Sequence, residues 1–175
     1  MRTPRALVAA LVLGLAVGGC GGDAPAPRTW AASVCGALAP WRTEIDTLIG
    51  HAQREMAAAT TPAQAKEHLV GLLSGAEAAS EAARARIADA GVPDVPDGER
   101  IARSFVEALT AARDAYRRAK ATIETLPASD ADAFYAEVRS ALARLGEEYG
   151  RGALDTTNVR SEDLRRAFDE VPECR

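Results

Sequence analysis

Aromatic residues are scarce in this chain of 175 residues: they make up 5% of it, whereas alanine occurs 39 times. Charged residues make up 26%, and the formal net charge is −4. The apolar mass is spread thinly over small side chains, which excludes a polytopic membrane protein. The acidic balance also excludes a strongly basic nucleic-acid-binding protein. No segment alternates β-branched and polar residues, so the composition favours one helical domain.

The amino terminus has the pattern of a secretory signal sequence. Arg2 and Arg5 precede an apolar run over residues 6–17, interrupted only by Gly14, and small residues follow it. A basic start, a short apolar run and small residues at a cleavage point define such signals. A membrane-spanning anchor is the weaker alternative, because about 12 to 14 residues are too few to cross a bilayer core of roughly 30 Å as a helix.

A cysteine directly follows these small residues. Residues 17–20 (VGGC) resemble the lipobox of bacterial lipoproteins. The resemblance implies that Cys20 carries a thioether-linked diacylglycerol and holds the chain at the outer face of the cell membrane, because two acyl chains give stable anchoring. The alternative is plain secretion after cleavage near Gly19, which leaves Cys20 as a free thiol. The predicted divisions are a signal peptide at 1–19, a lipidated cysteine and tether at 20–28, and a helical domain at 29–175.

The mature chain is acidic and its tether is short. Loss of Arg2 and Arg5 leaves 19 basic residues against 25 acidic ones, a side-chain charge of −6. Such a surface is expected to avoid anionic lipids and nucleic acids. Residues 21–28 are rich in Gly, Pro and Ala and span at most roughly 26 to 29 Å when fully extended. The folded part is therefore expected close to the membrane.

Apolar residues at helical spacing predict four long helices and a short fifth. The first extends from its predicted cap Thr29 to about residue 60. The second begins at Pro62, with Thr61 as its cap, and ends before Gly91. The second half of this helix consists almost entirely of small residues, so the thinnest part of the core is expected there.

Loop and cap residues bound the remaining helices. Prolines within residues 92–98 exclude a helix there, and Asp97 is a candidate cap for the third helix, which stops at Pro127. Ser129 is the predicted cap of the fourth helix, and Ser161 begins the fifth. The inward positions predicted for the fourth helix are Phe134, Val138, Leu142, Leu145 and Tyr149. Since short turns favour antiparallel neighbours, the prediction is an all-α, antiparallel up-down four-helix bundle with a short C-terminal helix.

Besides Cys20, two cysteines remain in the body of the mature chain, Cys35 and Cys174. An even number of cysteines in an exported protein favours a disulfide. In an up-down bundle the start of the first helix and the end of the fourth lie at the same end, so a terminal segment can return to Cys35. We therefore predict a disulfide between Cys35 and Cys174.

Residues around these two cysteines resemble those of a known group of proteins. The pattern consists of Trp30, Val34, Cys35, Leu38 and Trp41 near the start and Ala167, Phe168, Pro172 and Cys174 at the end. It is similar to that of small helical lipoproteins and secreted proteins of unknown function from high-GC Gram-positive bacteria. The 19 Arg against 2 Lys agree with a GC-rich coding bias. These motifs are structural, so the resemblance implies no catalytic residue.

Two histidines, His51 and His68, lie at similar distances on either side of the turn near residue 60. In an antiparallel hairpin they face each other, with Glu55 and Gln64 each one helical turn away. Imidazole and carboxylate groups bind divalent metals, so one hypothesis is a metal site at His51 and His68. The alternative is that both imidazoles face solvent.

A basic row follows one face of the third helix. Arg113, Arg117 and Lys120 lie next to Tyr116 at helical spacing. This face is a candidate partner surface, through phosphate groups of lipid or an anionic wall polymer. The alternative is a solvated helix face whose charges are neutralised by nearby acidic residues.

The remaining chemistry is sparse. Trp30 and Trp41 lie three turns apart on the apolar stripe of the first helix, which favours core packing; a ligand groove lined by both indoles is the alternative. No G-x-S-x-G, H-E-x-x-H, Walker or dinucleotide-binding motif occurs. The sequence therefore predicts no enzyme and no cofactor.

The combined prediction is a lipid-anchored cell-envelope protein outside the cytoplasm. It is expected to bind a protein or cell-wall partner through a helical face, without catalysis and without contact to nucleic acid. The alternative is a carrier of a small molecule or metal ion, in a cavity at the alanine-rich half of the second helix or at the histidine pair.

Overall fold

The structure is a computed structural model, and it describes residues 24–151 and 159–175. No strand occurs in these ranges, so the predicted all-α class is confirmed. The helices are α1 Pro27–Ala58, α2 Pro62–Asp89, α3 Gly98–Thr125, α4 Ala131–Arg151 and α5 Glu162–Glu170, followed by a 3-10 turn at Pro172–Cys174.

The first helix begins earlier than the sequence predicts. α1 starts at Pro27 with Ala26 at the cap position, so the prediction that Thr29 caps it is wrong. Proline is favoured at a first helical position because its ring presets the helical φ angle. α1 also continues through Pro40. This proline lies on the exposed side of the helix, where water can pair with the carbonyl that lacks its helical donor.

The predicted boundaries of α2 are confirmed. The Thr61 hydroxyl accepts a hydrogen bond from the amide of Gln64 at 3.3 Å, and the Gln64 side chain accepts one from the Thr61 amide at 3.2 Å. This reciprocal pair satisfies two amides that the first turn leaves free. Gly91 follows α2 with φ 73°, a left-handed conformation that glycine adopts without a steric penalty.

The start of α3 depends on a glycine more than on a cap. Asp97 stands at the cap position with φ 63°, but its carboxylate accepts a bond from Arg100 at 2.7 Å and none from a helix amide. The prediction that its side chain caps the helix is therefore wrong. At Gly98 a Cβ atom would lie 2.2 Å from the carbonyl oxygen of Pro93. Only glycine fits this close approach.

The cap of α4 lies one residue after the predicted position, whereas the cap of α5 is the predicted residue. Asp130, and not Ser129, accepts a hydrogen bond from the amide of Ala133 at 3.0 Å, so α4 begins one residue later than predicted. Ser161 accepts a bond from the Leu164 amide at 3.3 Å. The prediction for α5 is therefore confirmed.

Both tryptophans of α1 pack in the core and bind α2. Trp30 Nε1 donates a hydrogen bond to the carbonyl oxygen of Gly91 at 2.9 Å, and Trp41 Nε1 donates one to the hydroxyl of Ser80 at 3.1 Å. Trp41 follows Trp30 in the chain, whereas its partner Ser80 precedes Gly91, the partner of Trp30. The helices α1 and α2 therefore run antiparallel. The default prediction of core packing is confirmed, and both indole N–H groups are satisfied.

The most extensive helix contact is between α2 and α3. The alanine-rich half of α2 contributes to it with Ala76, Ser80 and Ala83, all buried. Small side chains contribute little burial each, but they let two helix axes approach closely.

α5 and the chain end pack against the start of α1. The ring centroid of Phe168 lies 6.1 Å from that of Trp30 and 6.1 Å from that of Phe105. Cys35 and Cys174 are joined in the predicted disulfide, with their sulfur atoms 2.05 Å apart. The C-terminal segment is thus fixed to α1 by a covalent bond and by an aromatic cluster.

Candidate binding groove

An apolar groove lies between α1 and α4. α4 packs mainly on α3, and the backbones of α1 and α4 do not come into contact within the described residues. The space between them has a volume of about 250 Å³. Side chains from all four long helices line it, chiefly Ile45 and Ile49 of α1, Leu72 of α2, Tyr116 of α3, and Leu142 and Tyr149 of α4.

Burial falls along α4 toward the groove. Phe134 and Val138 are buried, Leu142 and Leu145 are half-buried, and Tyr149 is 38% exposed. All five positions are predicted to face inward. The prediction is therefore confirmed for Phe134 and Val138 and, less completely, for Leu142 and Leu145, which pack partly buried against the core, whereas Tyr149 lies at the exposed end of the stripe.

Small residues explain why α4 stands away from α1. Ala115 and Ala119 of α3 and Ala141 of α4 are buried, so the two helices meet through short side chains and approach closely. The guanidinium of Arg118 also pairs with the carboxylate of Glu148 across this interface. α4 is thereby held against α3, and the seam toward α1 remains open.

Two tyrosines supply the only hydroxyls among the described lining residues. Their ring centroids lie 6.2 Å apart, and Tyr149 stacks on Trp41 with centroids 6.4 Å apart. Neither hydroxyl makes a hydrogen bond with another described residue. Trp41 thus lies behind Tyr149. The structure does not form the alternative, a groove lined by both indoles, because Trp30 is fully buried in the cluster with Phe105 and Phe168.

Both phenols stay protonated at neutral pH. Burial raises the pKa of Tyr116 to about 12, with a further contribution from the nearby Tyr149. Burial also raises the pKa of Tyr149, while Arg42 lowers it and Asp46 raises it. Groups with such pKa values can donate hydrogen bonds but do not exchange protons near pH 7. The groove can therefore hold an apolar molecule and offer it hydrogen bonds, and it lacks an acid or base for catalysis among the described lining residues.

Two charged residues of α1 act on Tyr149. Arg42 and Asp46 lie one turn apart, and the field of each reaches the Tyr149 hydroxyl with opposite sign. Arg42 makes no ion pair with another described residue. The described residues that line the groove carry no charge.

The two histidines meet as the hairpin geometry predicts, around a carboxylate. His51 Nδ1 lies 3.0 Å and His68 Nδ1 3.2 Å from the same oxygen, Glu55 Oε2. In the part of the chain that the structure describes, no group of three or more His, Cys, Asp or Glu side chains is arranged to hold a metal ion. The hypothesis of a metal site at His51 and His68 thus gains no support, and the imidazoles contact Glu55 instead.

The basic row on α3 is not a free cationic surface. Arg113 pairs with Glu81 of α2 at 2.7 Å, and Lys120 pairs with Glu77 at 2.6 Å. Arg117 pairs with its neighbour Asp114 at 2.7 Å. The pairs of Arg113 and Lys120 join α3 to α2, and both side chains are less than a quarter exposed, whereas the pair of Arg117 with Asp114 lies within α3. The row is neutralised, as the alternative predicts, but it is not the solvated face of that alternative.

Tyr116 does not belong to the same surface as the basic row. Its side chain is only 9% exposed and lines the groove, whereas the side chain of Arg117 is half exposed. Arg113, Tyr116, Arg117 and Lys120 therefore do not form one exposed surface. The residues that the sequence analysis groups into one surface belong to two features, an ion-paired interface and a groove wall.

The predicted anchor lies outside the described residues. This applies to the apolar run over 6–17 and to Cys20, the expected lipidation site. Within the described ranges, no helix has the length and apolarity needed to cross a membrane.

Comparison with known proteins finds no relative. No protein-family model, curated protein or solved structure matches the chain. The groove was not predicted from the sequence, although one signal was present. Gly146, beside the inward residues Leu142 and Leu145, leaves a gap in the wall of α4 where the other helices of the core carry a side chain.

Proposed function

We propose that this chain is a lipid-anchored, extracytoplasmic, non-catalytic protein that holds an apolar small molecule in the groove between α1 and α4. Its four long helices form an antiparallel up-down bundle with one open seam. The observation that carries the proposal is the groove itself: a space of about 250 Å³ lined by hydrocarbon side chains and two phenols. Ligand sites in proteins have this composition, mostly apolar with a few polar groups that orient the ligand.

The dimensions of the groove support a ligand of modest size. At roughly 30 Å³ for a group the size of water or methylene, the space holds about eight such groups. A short acyl or isoprenoid-like chain matches this volume. A large polycyclic molecule does not.

The position of the groove supports a carrier that works clear of the bilayer. Ile45 lies 18 residues after Pro27, where α1 begins, which corresponds to about 27 Å along the helix axis. A tether attached at Cys20 would hold the start of α1 nearest the membrane. A molecule bound beside Ile45 would then stand away from the headgroups, as a carrier or sensor requires.

Binding of a protein or cell-wall partner through a helical face stays a prediction. Its sequence basis is the anchor, the short tether and the absence of site chemistry, with the basic row as a possible face, and the charges of that row are engaged with Glu77, Glu81 and Asp114. The groove therefore supports the small-molecule alternative more strongly.

Two glycines offer a matched pair of variants for testing the groove. Gly146 lines the groove, and Gly36 lies on an exposed face of α1. A Cβ atom added at either position meets nothing within 4 Å. Leucine at either site replaces a helical glycine and should raise stability by about 1 kcal/mol. At position 146 its four carbons would fill roughly 120 Å³ of the groove.

The measurement is isothermal titration calorimetry of the full chain with 1-heptanol, a neutral molecule of eight non-hydrogen atoms that matches the volume of the groove. Every protein in the series carries Cys20→Ser, so that no attached acyl chain competes. We expect saturable binding to the parent and to Gly36→Leu, and at least tenfold weaker binding to Gly146→Leu. Equal binding by all three proteins, or no binding by the parent, would overturn the proposed function.

The anchor is tested separately by intact mass spectrometry of the chain recovered from membranes. We expect the wild type to carry the mass of a diacylglyceryl group, which Cys20→Ser lacks. Recovery of the wild type in the aqueous fraction with a free thiol at Cys20 would contradict lipid anchoring and leave the groove proposal untouched.

The metal-carrier alternative is tested by calorimetric titration with Zn²⁺. The wild type is compared with the double variant His51→Ala and His68→Ala. Because no group of three or more His, Cys, Asp or Glu side chains is arranged to hold a metal ion in the described residues, we expect equal heats from both proteins. A binding heat confined to the wild type would restore the metal site.

A further inference from the structure

Two short segments of the chain meet at the end of the molecule where α1 begins. The backbone amide of Asp94, in the loop between α2 and α3, donates a hydrogen bond to the carbonyl oxygen of Pro25 at 2.9 Å. The indole of Trp30 binds the carbonyl oxygen of Gly91, where the same loop begins, also at 2.9 Å. The chain is therefore already fixed to this loop at Pro25, two residues before α1 starts.

The joined segments bring exposed apolar residues to one end of the bundle. Val92 is 41% exposed, and in the part of the chain that the structure describes it is the one exposed large hydrophobic residue outside the groove. Ala24, Ala26 and Pro96, which flank the bonded residues in the sequence, are also exposed. We call these four residues, Ala24, Ala26, Val92 and Pro96, the end patch.

The loop that carries Val92 and Pro96 is held in one shape. Asp97 has a left-handed φ of 63°, a conformation that is unfavourable for a residue with a Cβ atom. Pro93 is buried, and its carbonyl oxygen lies so close to Gly98 that only a glycine fits there. A flexible connection between α2 and α3 would need neither feature. The strained loop therefore presents its exposed residues in a fixed position.

The predicted anchor is close to the end patch along the chain. Cys20 precedes Pro25 by five residues, which span at most about 18 Å when fully extended. The turn between α1 and α2, by contrast, lies at the other end of a helix of 32 residues, roughly 48 Å away. A lipid on Cys20 would therefore hold the end patch nearer the bilayer than the opposite end of the bundle.

The charges of the loop do not attract an anionic surface. Residues 92–98 contain no basic side chain. Asp97 pairs with Arg100 at 2.7 Å, and Asp94 is exposed without an ion pair to another described residue. Contact of this loop with lipid would therefore depend on burial of apolar surface and not on attraction between opposite charges.

We propose that the end patch is a membrane-contact surface: Val92 and Pro96 lie in the headgroup region of the bilayer that holds the lipid on Cys20, and the bundle stands on this end. This inference rests on the lipid anchoring in the proposed function, because the anchor is what brings the patch to the bilayer. It goes beyond that function by naming the part of the folded chain that touches the lipid.

The test is quenching of a bimane label by a nitroxide-headgroup lipid in phosphatidylcholine vesicles that carry the full lipidated chain. The label is attached at Val92→Cys or, as a matched control, at Ile49→Cys, because both native side chains are 41% exposed. Ile49 lies 22 residues after Pro27, about 33 Å along α1. Labelling without reductant keeps the disulfide between Cys35 and Cys174 closed. The label at position 92 should lose most of its fluorescence, whereas the label at position 49 should keep it.

Two further measurements test the nature of the contact. A label at Asp94→Cys, which keeps the backbone amide that binds Pro25, should be quenched as well. Quenching at position 92 should persist at about 1 M salt, where the Debye length is only about 3 Å and attraction between charges is screened. Circular dichroism of each labelled protein checks that the helices remain folded.

The outcomes separate this inference from the function it rests on. If the wild type lacks the diacylglyceryl mass, lipid anchoring fails and this inference fails with it. If the lipid is present and positions 92 and 49 are quenched equally, or neither is quenched, the membrane-contact surface alone is overturned. Stronger quenching at position 49 would mean that the groove side of the bundle lies on the bilayer. Quenching at position 92 that disappears at high salt would contradict an apolar contact.

Discussion

Removal of the disulfide should cost this protein a large part of its stability. The perturbation is the double variant Cys35→Ser and Cys174→Ser, which leaves the shapes of the side chains nearly unchanged. The bond closes a sequence separation of 139 residues, almost the whole folded chain. In the chain-entropy treatment a loop of this length corresponds to about 5 kcal/mol. Total stabilities of natural domains are of the order of 5 to 15 kcal/mol.

The assay is urea unfolding followed by the helical circular dichroism signal. With a slope of about 2.5 kcal/mol per molar, the double variant should unfold at a midpoint lower by about 2 M. Treating the wild type with dithiothreitol should produce the same shift, and the variant should not respond to it. A shift below about 0.5 M with an unchanged slope would refute the reasoning. It would mean that packing of Leu164 and Phe168, both buried in α5, already restrains the chain end in the unfolded ensemble.

Three further substitutions test the packing that supports the groove. Ser80→Ala leaves the buried Trp41 N–H unpaired and should cost about 1 to 3 kcal/mol in urea unfolding; adding Trp41→Phe should recover part of it. Gly98→Ala places a Cβ atom 2.2 Å from a carbonyl oxygen, and should lower the thermal midpoint through about 2 kcal/mol of strain. Hydrogen bonds from Arg84 and Arg113 lower the pKa of Glu81 to about 2. Its contribution is therefore present at neutral pH and lost as the pH falls toward 2, so Glu81→Gln should lower the thermal midpoint at pH 6 and converge with the wild type near pH 2.

The helices were predictable because their signals are local. Helical spacing, the Thr61 cap and Gly91 each act within one or two turns, and the structure has them where the sequence places them. One error occurs where two equivalent residues are adjacent. Ser129 and Asp130 are both good caps, and the sequence alone does not decide which of them the chain uses.

The site was less predictable because it depends on distances between helices. The equal spacing of His51 and His68 from a turn was enough to bring them together, since a tight hairpin fixes the register. No such turn fixes the register of side chains across the middle of α2 and α3. The pairing of Arg113 with Glu81 and of Lys120 with Glu77 could therefore not be derived from periodicity, which gives the face of a residue but not its neighbour.

The open seam follows from how the helices pack on α1. At 1.5 Å a residue, the 32 residues of α1 extend about 48 Å, whereas the 9 residues of α5 extend about 13 Å. α5 covers the start of α1, and α4 leans on α3 through alanine.

The scarce aromatic side chains are divided according to this geometry. Where α5 closes the core, the cluster consists of Trp30, Phe105 and Phe168, whose only polar group, the indole N–H, is bound to a carbonyl. Where the seam stays open, Tyr149 stacks on Trp41 and meets Tyr116, and neither phenol has a hydrogen-bond partner among the described residues. A closed core gains nothing from such hydroxyls, because each would need an internal partner. Phenols at an open seam can bind water when the groove is empty and a ligand oxygen when it is filled. Two of the three tyrosines lie at the groove, and the third, Tyr135, pairs with Phe134 outside its lining.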